Sequence, residues 1–232
     1  MNNIILLHGT DHIIEKPDYL FKNPYNDYGS GLHCTEVIEM AKEWACKENK
    51  DGFVNRYRLN TDGLKILNLL DGKHNILNWI AILLKYRKFN LNDQIAIDAR
   101  EYVINNFGID VEGYDVIIGY RADDSYFSYA TSFIENTLPI RSLNKALRLG
   151  NLGTQVVLKS KKAFSQIEFL GVEPVEKELY YPKFVARDTS ARKTYREEIK
   201  TAISYKEDIF IMDILREEMK NDDARIQRII SK

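Results

Sequence analysis

The sequence is poor in cysteine, with two, and in proline, with five, and it has no charge excess of either sign: 33 basic and 34 acidic residues leave a net charge of -1 over 232 residues. Cys34 and Cys46 are too few for a disulfide framework, and nothing near them completes a metal-binding spacing. If 34–46 is one helix the two sulfurs stand about 18 Å apart along its axis, beyond disulfide reach, so free buried thiols are expected. The four histidines, His8, His12, His33 and His74, lack the pairing with cysteines or acidic residues that zinc sites use. Near-neutral charge supplies no field for drawing in nucleic acid. No run reaches the ~18 apolar residues of a membrane span. Met1-Asn2-Asn3 followed by four apolar residues lacks a basic leader and the long apolar stretch of a secretory signal. The expectation is a cytoplasmic protein without a membrane partner.

What is present is ordinary globular composition, 44% hydrophobic and 29% charged, in a chain long enough for one sizeable core plus an appendage or for two small domains. No internal repeat or low-complexity tract interrupts it. The apolar run from Asn3 to Leu7 suits a buried strand, and the stretch to Asn26 reads as a loop. Val37, Ile38, Ala41, Trp44 and Ala45 recur at helical spacing after Thr35, a natural N-cap, with Glu36 on the positive end of the dipole. Asp51-Gly52 reads as a turn, and Phe53, Tyr57 and Leu59 alternate as in a strand. Two helices follow at roughly 74–88 and 91–106, the second stopped by Gly108, as an insert between strands.

Tyr114 to Tyr120 reads as a central strand, with Arg121 to Asp124 a polar loop at its end. A helix then runs to about Thr137, Pro139 breaks it, and Ser142 to Leu149 forms a short helix closed by Gly150. Gln155–Leu158 and Ile167–Val172 read as strands joined by a lysine-rich turn. From about Pro174 the charges nearly balance, and 188–203 and 205–220 look helical. The expected organisation is an α+β domain over 1–175, with a mostly antiparallel sheet and the helical insert, and a helical C-terminal extension over 176–232.

Two segments carry the most chemistry: Leu6-Leu7-His8-Gly9-Thr10, closing the first strand, and Tyr28-Gly29-Ser30-Gly31-Leu32-His33-Cys34-Thr35-Glu36, a glycine turn leading into a helix. Together they read as two walls of a nucleotide pocket. Taken singly, His8 reads equally as a hydrogen-bonded core histidine or a ligand contact. Gly9 suits close approach of a ligand amide, or a plain turn, and Gly29 and Gly31 have the same two readings. Asp123 and Asp124 are adjacent carboxylates at a strand end, ordinarily a solvated turn. Arg121 fits either a bidentate phosphate contact or a surface ion pair. Trp44 and Trp79 lie on apolar helical faces and read as core. Lys159, Lys161 and Lys162 read as a solvated basic turn.

In order and spacing, His8-Gly9-Thr10, then Gly29-x-Gly31-Leu32 with Thr35 opening a helix that holds Ala41 and Trp44-Ala45, resembles the ADP-ribosyltransferase superfamily. More closely, 28–45, 114–124 and 155–172 resemble a bacterial family of uncharacterised domains with an ADP-ribosyltransferase-like fold, over roughly residues 4–175. That resemblance implies a split, mostly antiparallel sheet around a cleft for NAD as co-substrate. It implies that His8 orients the nicotinamide-side ribose, that Gly9 contacts the carboxamide through its main chain, and that Thr10, Gly29, Gly31, Thr35 and Arg121 line the cofactor site. His33 stands where the superfamily commonly has a stacking tyrosine, and Gln155 where it often has a catalytic glutamate. A neutral amide cannot supply a carboxylate's charge to an oxocarbenium-like transition state, a loss on the order of 10²–10³ in rate. Asp123 is the candidate substitute acid.

The implied activity is ADP-ribosyl transfer from NAD to a protein or nucleic-acid acceptor, as in a toxin, effector or defence protein, with a cognate regulatory protein as a possible partner. The alternatives are a nucleotide- or protein-binding domain that has lost turnover, and an NAD glycohydrolase.

Overall fold

The structure, a computed structural model, describes residues 3–20, 23–122, 124–149, 153–201 and 207–230. The chain divides into two compact units, each assembled from three stretches: Met1–Leu70, Val111–Arg121 and Gly153–Thr189 in the first, and Asp71–Asp110, Ala122–Leu152 and Ser190–Lys232 in the second.

The first unit holds two sheets. One is antiparallel, in the order β1 (Asn3–Thr10), β3 (Gly52–Asn60), β7 (Ile167–Val175). The other runs β2 (Leu32–Cys34), β6 (Thr154–Leu158), β5 (Val116–Tyr120), β4 (Ile66–Asn68), antiparallel except for the parallel β4–β5 pair. The mixed α+β architecture and the interior position of β5 match the sequence reading. The sheets meet at one corner, where Leu7 and Thr35 exchange backbone hydrogen bonds of 2.8 and 2.9 Å. Leu6, Tyr57 and Leu59 from one sheet and Leu32, Cys34, Val116, Val156 and Leu158 from the other form a shared buried core. This burial is the main stabilising term of the unit.

Helix α1 (Ile38–Ala45) lies against the first sheet at two glycines. A Cβ on Gly9 would stand 1.9 Å from the Ala41 carbonyl oxygen, and one on Gly52 would stand 2.1 Å from that of Ala45. Only a residue without a side chain lets helix backbone come this near to strand backbone. Thr35 does not cap this helix as expected. Its main chain is taken by the pairing with Leu7, its hydroxyl accepts from Val37 N–H at 3.2 Å, and the helix starts three residues later, at Ile38.

Strand β3 begins at Gly52 itself, and the reversal before it is made by Lys47 and Lys50, which pair across a tight turn. The lysine-rich link between β6 and β7 is also not a hairpin turn. Lys161–Ser165 form helix α6, capped by the Ser160 hydroxyl on Ala163 N–H, and the flanking strands belong to different sheets. Crossing between two layers needs more reach than a hairpin supplies.

In the second unit the described residues form helices and no strand. Asn75 caps α2 (Ile76–Tyr86) in a reciprocal box with Asn78. Asp93 caps α3 (Gln94–Phe107), whose last turn is closed by Gly108 N–H on Ile104 O. Ile76 to Leu84 are all buried, so α2 is the unit's central helix. Helices α4 (Asp124–Ile134) and α5 (Ile140–Leu149) flank Pro139 as the sequence predicts. Gly150, expected to close α5, lies outside the described residues. Helix α7 (Lys177–Thr201), whose residues up to Thr189 belong to the first unit, starts well before residue 188 and carries Pro182 in its second turn. Of the helix expected at 205–220, Ile211–Arg216 forms α8, and Ala224–Ile230 adds α9. No helix of the described residues is long and apolar enough to cross a membrane.

Candidate functional site

The junction of the two sheets in the first unit gathers residues from four chain regions. His8 lies on β1 one position past the Leu7–Thr35 bridge, and His33 lies on β2 beside it. The His8 ring donates from Nδ1 to the His33 carbonyl oxygen at 2.7 Å. On β6, antiparallel to β2, the buried Gln155 places Oε1 2.9 Å from His33 Nδ1. Gln155 Nε2 donates to Asp27 Oδ2 at 2.8 Å and to the Tyr120 carbonyl at 3.2 Å. His8, His33 and Gln155 therefore form one hydrogen-bonded string, which Gln155 joins to the buried carboxylate of Asp27.

The glycine turn supplies the other side of His33. Gly29 adopts φ 72°, the left-handed region that glycine enters without a Cβ clash. Its carbonyl oxygen lies 3.1 Å from His33 Nε2. Gly31 is a packing glycine: a Cβ there would stand 2.6 Å from the Leu158 carbonyl oxygen. The turn is held from below by Tyr28, fully buried, whose hydroxyl donates to Tyr120 O at 2.8 Å. Lys159 is the opposite of a solvated turn residue. It is buried, and its ammonium donates to Tyr28 O at 2.8 Å and to Glu112 Oε1 at 2.9 Å.

Loss of water around the His8 ring holds its pKa below the ordinary value, a shift the bond to the His33 carbonyl only partly offsets. With Nδ1–H donating, the neutral ring presents Nε2 as an acceptor, and no described residue occupies it. Leu7 bonds to Thr35 on the β2 side, so strand alternation turns the Gly9 N–H and C=O toward that same edge. The loop after β1 is strapped down by buried Asn55, which accepts from Ile14 N–H at 2.8 Å, and by the Tyr57 hydroxyl on Ile14 O at 2.6 Å.

The remaining expected residues lie apart from the string. The Thr10 hydroxyl is 3.2 Å from His12 Nδ1, within a surface cluster where Asp11 pairs with His12, Lys47 and Lys50. These partners hold the Asp11 carboxyl well below the usual carboxylate range, with His12 the largest contributor. Thr35 is fully buried in the sheet junction. The Arg121 guanidinium lies over the Trp44 ring at 4.5 Å, so Trp44 is half-buried beneath a cation rather than a core residue; Trp79 is core, as expected. Asp123 lies outside the described residues. No group of three or more metal-ligating side chains occurs among the described residues.

Residues 4–169 match the family described as Protein of unknown function (DUF3990). The chain belongs to the DUF3990 family. The matched region runs from β1 into β7, so His8, Asp27, His33, Arg121 and Gln155 all fall within the DUF3990 domain, and α7 lies beyond it. No curated protein and no solved structure matches the chain.

Asp27 and Lys159 are site residues that sequence reasoning missed or misassigned, and Tyr28, named only as the start of the glycine turn, is that turn's buried support. In Asn26-Asp27-Tyr28-Gly29 an aspartate before a glycine turn looks like turn chemistry, and only its burial against Gln155 gives it another role.

Proposed function

We propose that this DUF3990 chain is an NAD-dependent ADP-ribosyltransferase that cleaves the nicotinamide glycosidic bond and passes ADP-ribose to a macromolecular acceptor. The reading rests on one observation: His8, His33 and Gln155, from three distant segments, meet in a single hydrogen-bonded string. The superfamily it resembles builds its nicotinamide site from three residues in that order. The split of β1-β3-β7 from β2-β6-β5-β4, bridged at Leu7–Thr35, is compatible with the corresponding fold.

In this reading each residue has a defined task. His8 Nε2 accepts from a sugar hydroxyl, and the Gly9 main chain at the strand edge meets the carboxamide. His33, with both ring nitrogens held, presents its face for stacking. Gln155 holds His33 from beneath, because both ends of its amide are engaged with protein. NAD would supply the activated glycosidic bond.

Incubation of the purified chain with labelled NAD and cell lysate is expected to release nicotinamide and label a macromolecule. No release and no label would overturn the proposal. Nicotinamide release with free ADP-ribose as sole product would make the protein a glycohydrolase.

A second reading, nucleotide binding without turnover, is favoured by the neutral, buried amide of Gln155 in place of a carboxylate. Calorimetric uptake of NAD that is recovered intact would select it. The acceptor, and any regulatory protein, belong to the proposal alone.

A further inference from the structure

We infer that the first unit carries a second binding site, a cleft between the loop after β1 and helix α6 that takes a planar aromatic ligand bearing a phosphate, of the mononucleotide class. The cleft has a volume of about 440 Å³, and its lining includes Lys16, Asp18, Tyr19 and Leu20 from the loop and Lys161 and Phe164 from α6. Small-molecule sites fall in the range of roughly 300–1,000 Å³. None of these residues belongs to the His8–His33–Gln155 string, and the inference does not rest on the NAD reading. The rest of the unit holds both walls in place. Phe164 packs against the core shared by the two sheets. The loop is pinned at Ile14 by Asn55 and Tyr57, and it turns at Asp18, whose Oδ1 accepts from Leu20 N–H at 2.8 Å.

The rings of Tyr19 and Phe164 meet edge to face, with centroids 5.6 Å apart and planes at 76°. Two rings near a right angle form a corner in which a third flat ring stacks on one and meets the other by its edge. Leu20, 71% exposed, adds apolar surface that such a ring would cover. The positive charge comes from both walls. Lys16 and Lys161 are exposed, neither makes a salt bridge to a described residue, and Lys161 Nζ lies 5.8 Å from the centroid of the Tyr19 ring. Separate ammonium groups act as point charges suited to a phosphate, whereas a carboxylate is matched best by the fork of an arginine, and no arginine lines the cleft. Asp18 spends one oxygen on Leu20 N–H and has the other to accept from a hydroxyl or amino group, which a nucleoside offers.

The test is a titration of the full chain with adenosine monophosphate, read through the backbone amide shifts of the ¹⁵N-labelled protein. Tyr19, Leu20 and Phe164 are expected to move together along one saturating curve. Adenosine and inorganic phosphate, titrated separately, are each expected to bind at least about tenfold more weakly, the scale of one charge-assisted hydrogen bond. The double variant Lys16→Ala, Lys161→Ala alters two exposed side chains, so amides away from the cleft should keep their positions while its affinity for adenosine monophosphate falls to that of adenosine. No movement of the cleft amides at millimolar nucleotide overturns the inference, as does an undiminished affinity in the double variant. Shifts confined to His8, Gly9 and His33 overturn it too, because the nucleotide would then sit at the other site. Nicotinamide release from NAD is read separately: saturable shifts at Tyr19, Leu20 and Phe164 with no release would uphold the cleft and sink the NAD reading.

Discussion

Gln155 Oε1 and His33 Nδ1 lie 2.9 Å apart although 122 residues separate them in the chain. The antiparallel β2–β6 pairing brings their strands together, and the Leu7–Thr35 bridge adds His8 from a third strand.

A glutamate at position 155 would not restore a missing catalytic acid. Gln155→Glu sets a second carboxylate against Asp27 at the 2.8 Å position now held by an amide N–H, and like charges in a buried site repel. A loss of about 3 kcal/mol is expected in urea denaturation at neutral pH, on the scale of breaking a buried charge arrangement. Adding Asp27→Asn should recover most of it, because the double variant moves one negative charge along the string instead of doubling it. Equal and additive losses in the two single variants would contradict the coupling.

His8 makes stability pH-dependent with a definite sign. Its pKa is lowered in the folded state, so between the unfolded value near 6.5 and the lower folded value the unfolded chain binds more protons. Stability from this group is complete above about pH 6.5 and falls as the pH drops through the window below it. Melting temperatures from pH 8 to 5 are expected to decline more steeply for wild type than for His8→Gln.

Gly9→Ala is expected to destabilise the first unit by about 3 kcal/mol, the upper range for overpacking. The new methyl would overlap the Ala41 carbonyl, 1.9 Å away, and the obstacle is helix backbone rather than a side chain that can rotate. Chemical denaturation measures it. A neutral result would mean that α1 can lift from the sheet without cost.

Lys159→Met keeps the buried alkyl stem but removes the donor to Tyr28 O. Glu112, more than half exposed, is rehydrated without difficulty, so the cost should be about 1.5–3 kcal/mol, that of one charge-assisted hydrogen bond. The readout is thermal unfolding, and the loss should be larger than for Lys161→Met on the exposed α6 surface.

Both thiols should resist modification in the native protein. Cys34 is fully buried and its thiol is pushed well up by desolvation; Cys46, also buried, is shifted the same way. A thiol reagent is expected to react with neither at neutral pH until denaturant is added, since the thiolate is the reactive form. Rapid native labelling of Cys34 would show that the sheet junction opens.

Periodicity carried much of the fold. Apolar runs gave β1, β5 and β6, alternation gave β3, and helical spacing gave α1, because burial of a strand, of one face or of one stripe leaves its mark on composition. Where several neighbours compete for one residue, local rules gave way. Thr35 has the chemistry of a helix cap but is spent on the sheet junction, Lys159 sits in a basic run yet is buried, and Trp44 has core spacing but lies under Arg121.

The sequence by itself determined most of the strands and helices, β2, β4 and α6 excepted, and it singled out His8, His33 and Gln155, since hydrophobic period and motif order are properties of the chain. Only the tertiary structure decided that these three share one hydrogen-bonded string and that Asp27 bonds to it through Gln155. A hydrogen bond depends on separations of about 3 Å between strands that are remote in sequence, and no local pattern encodes that distance.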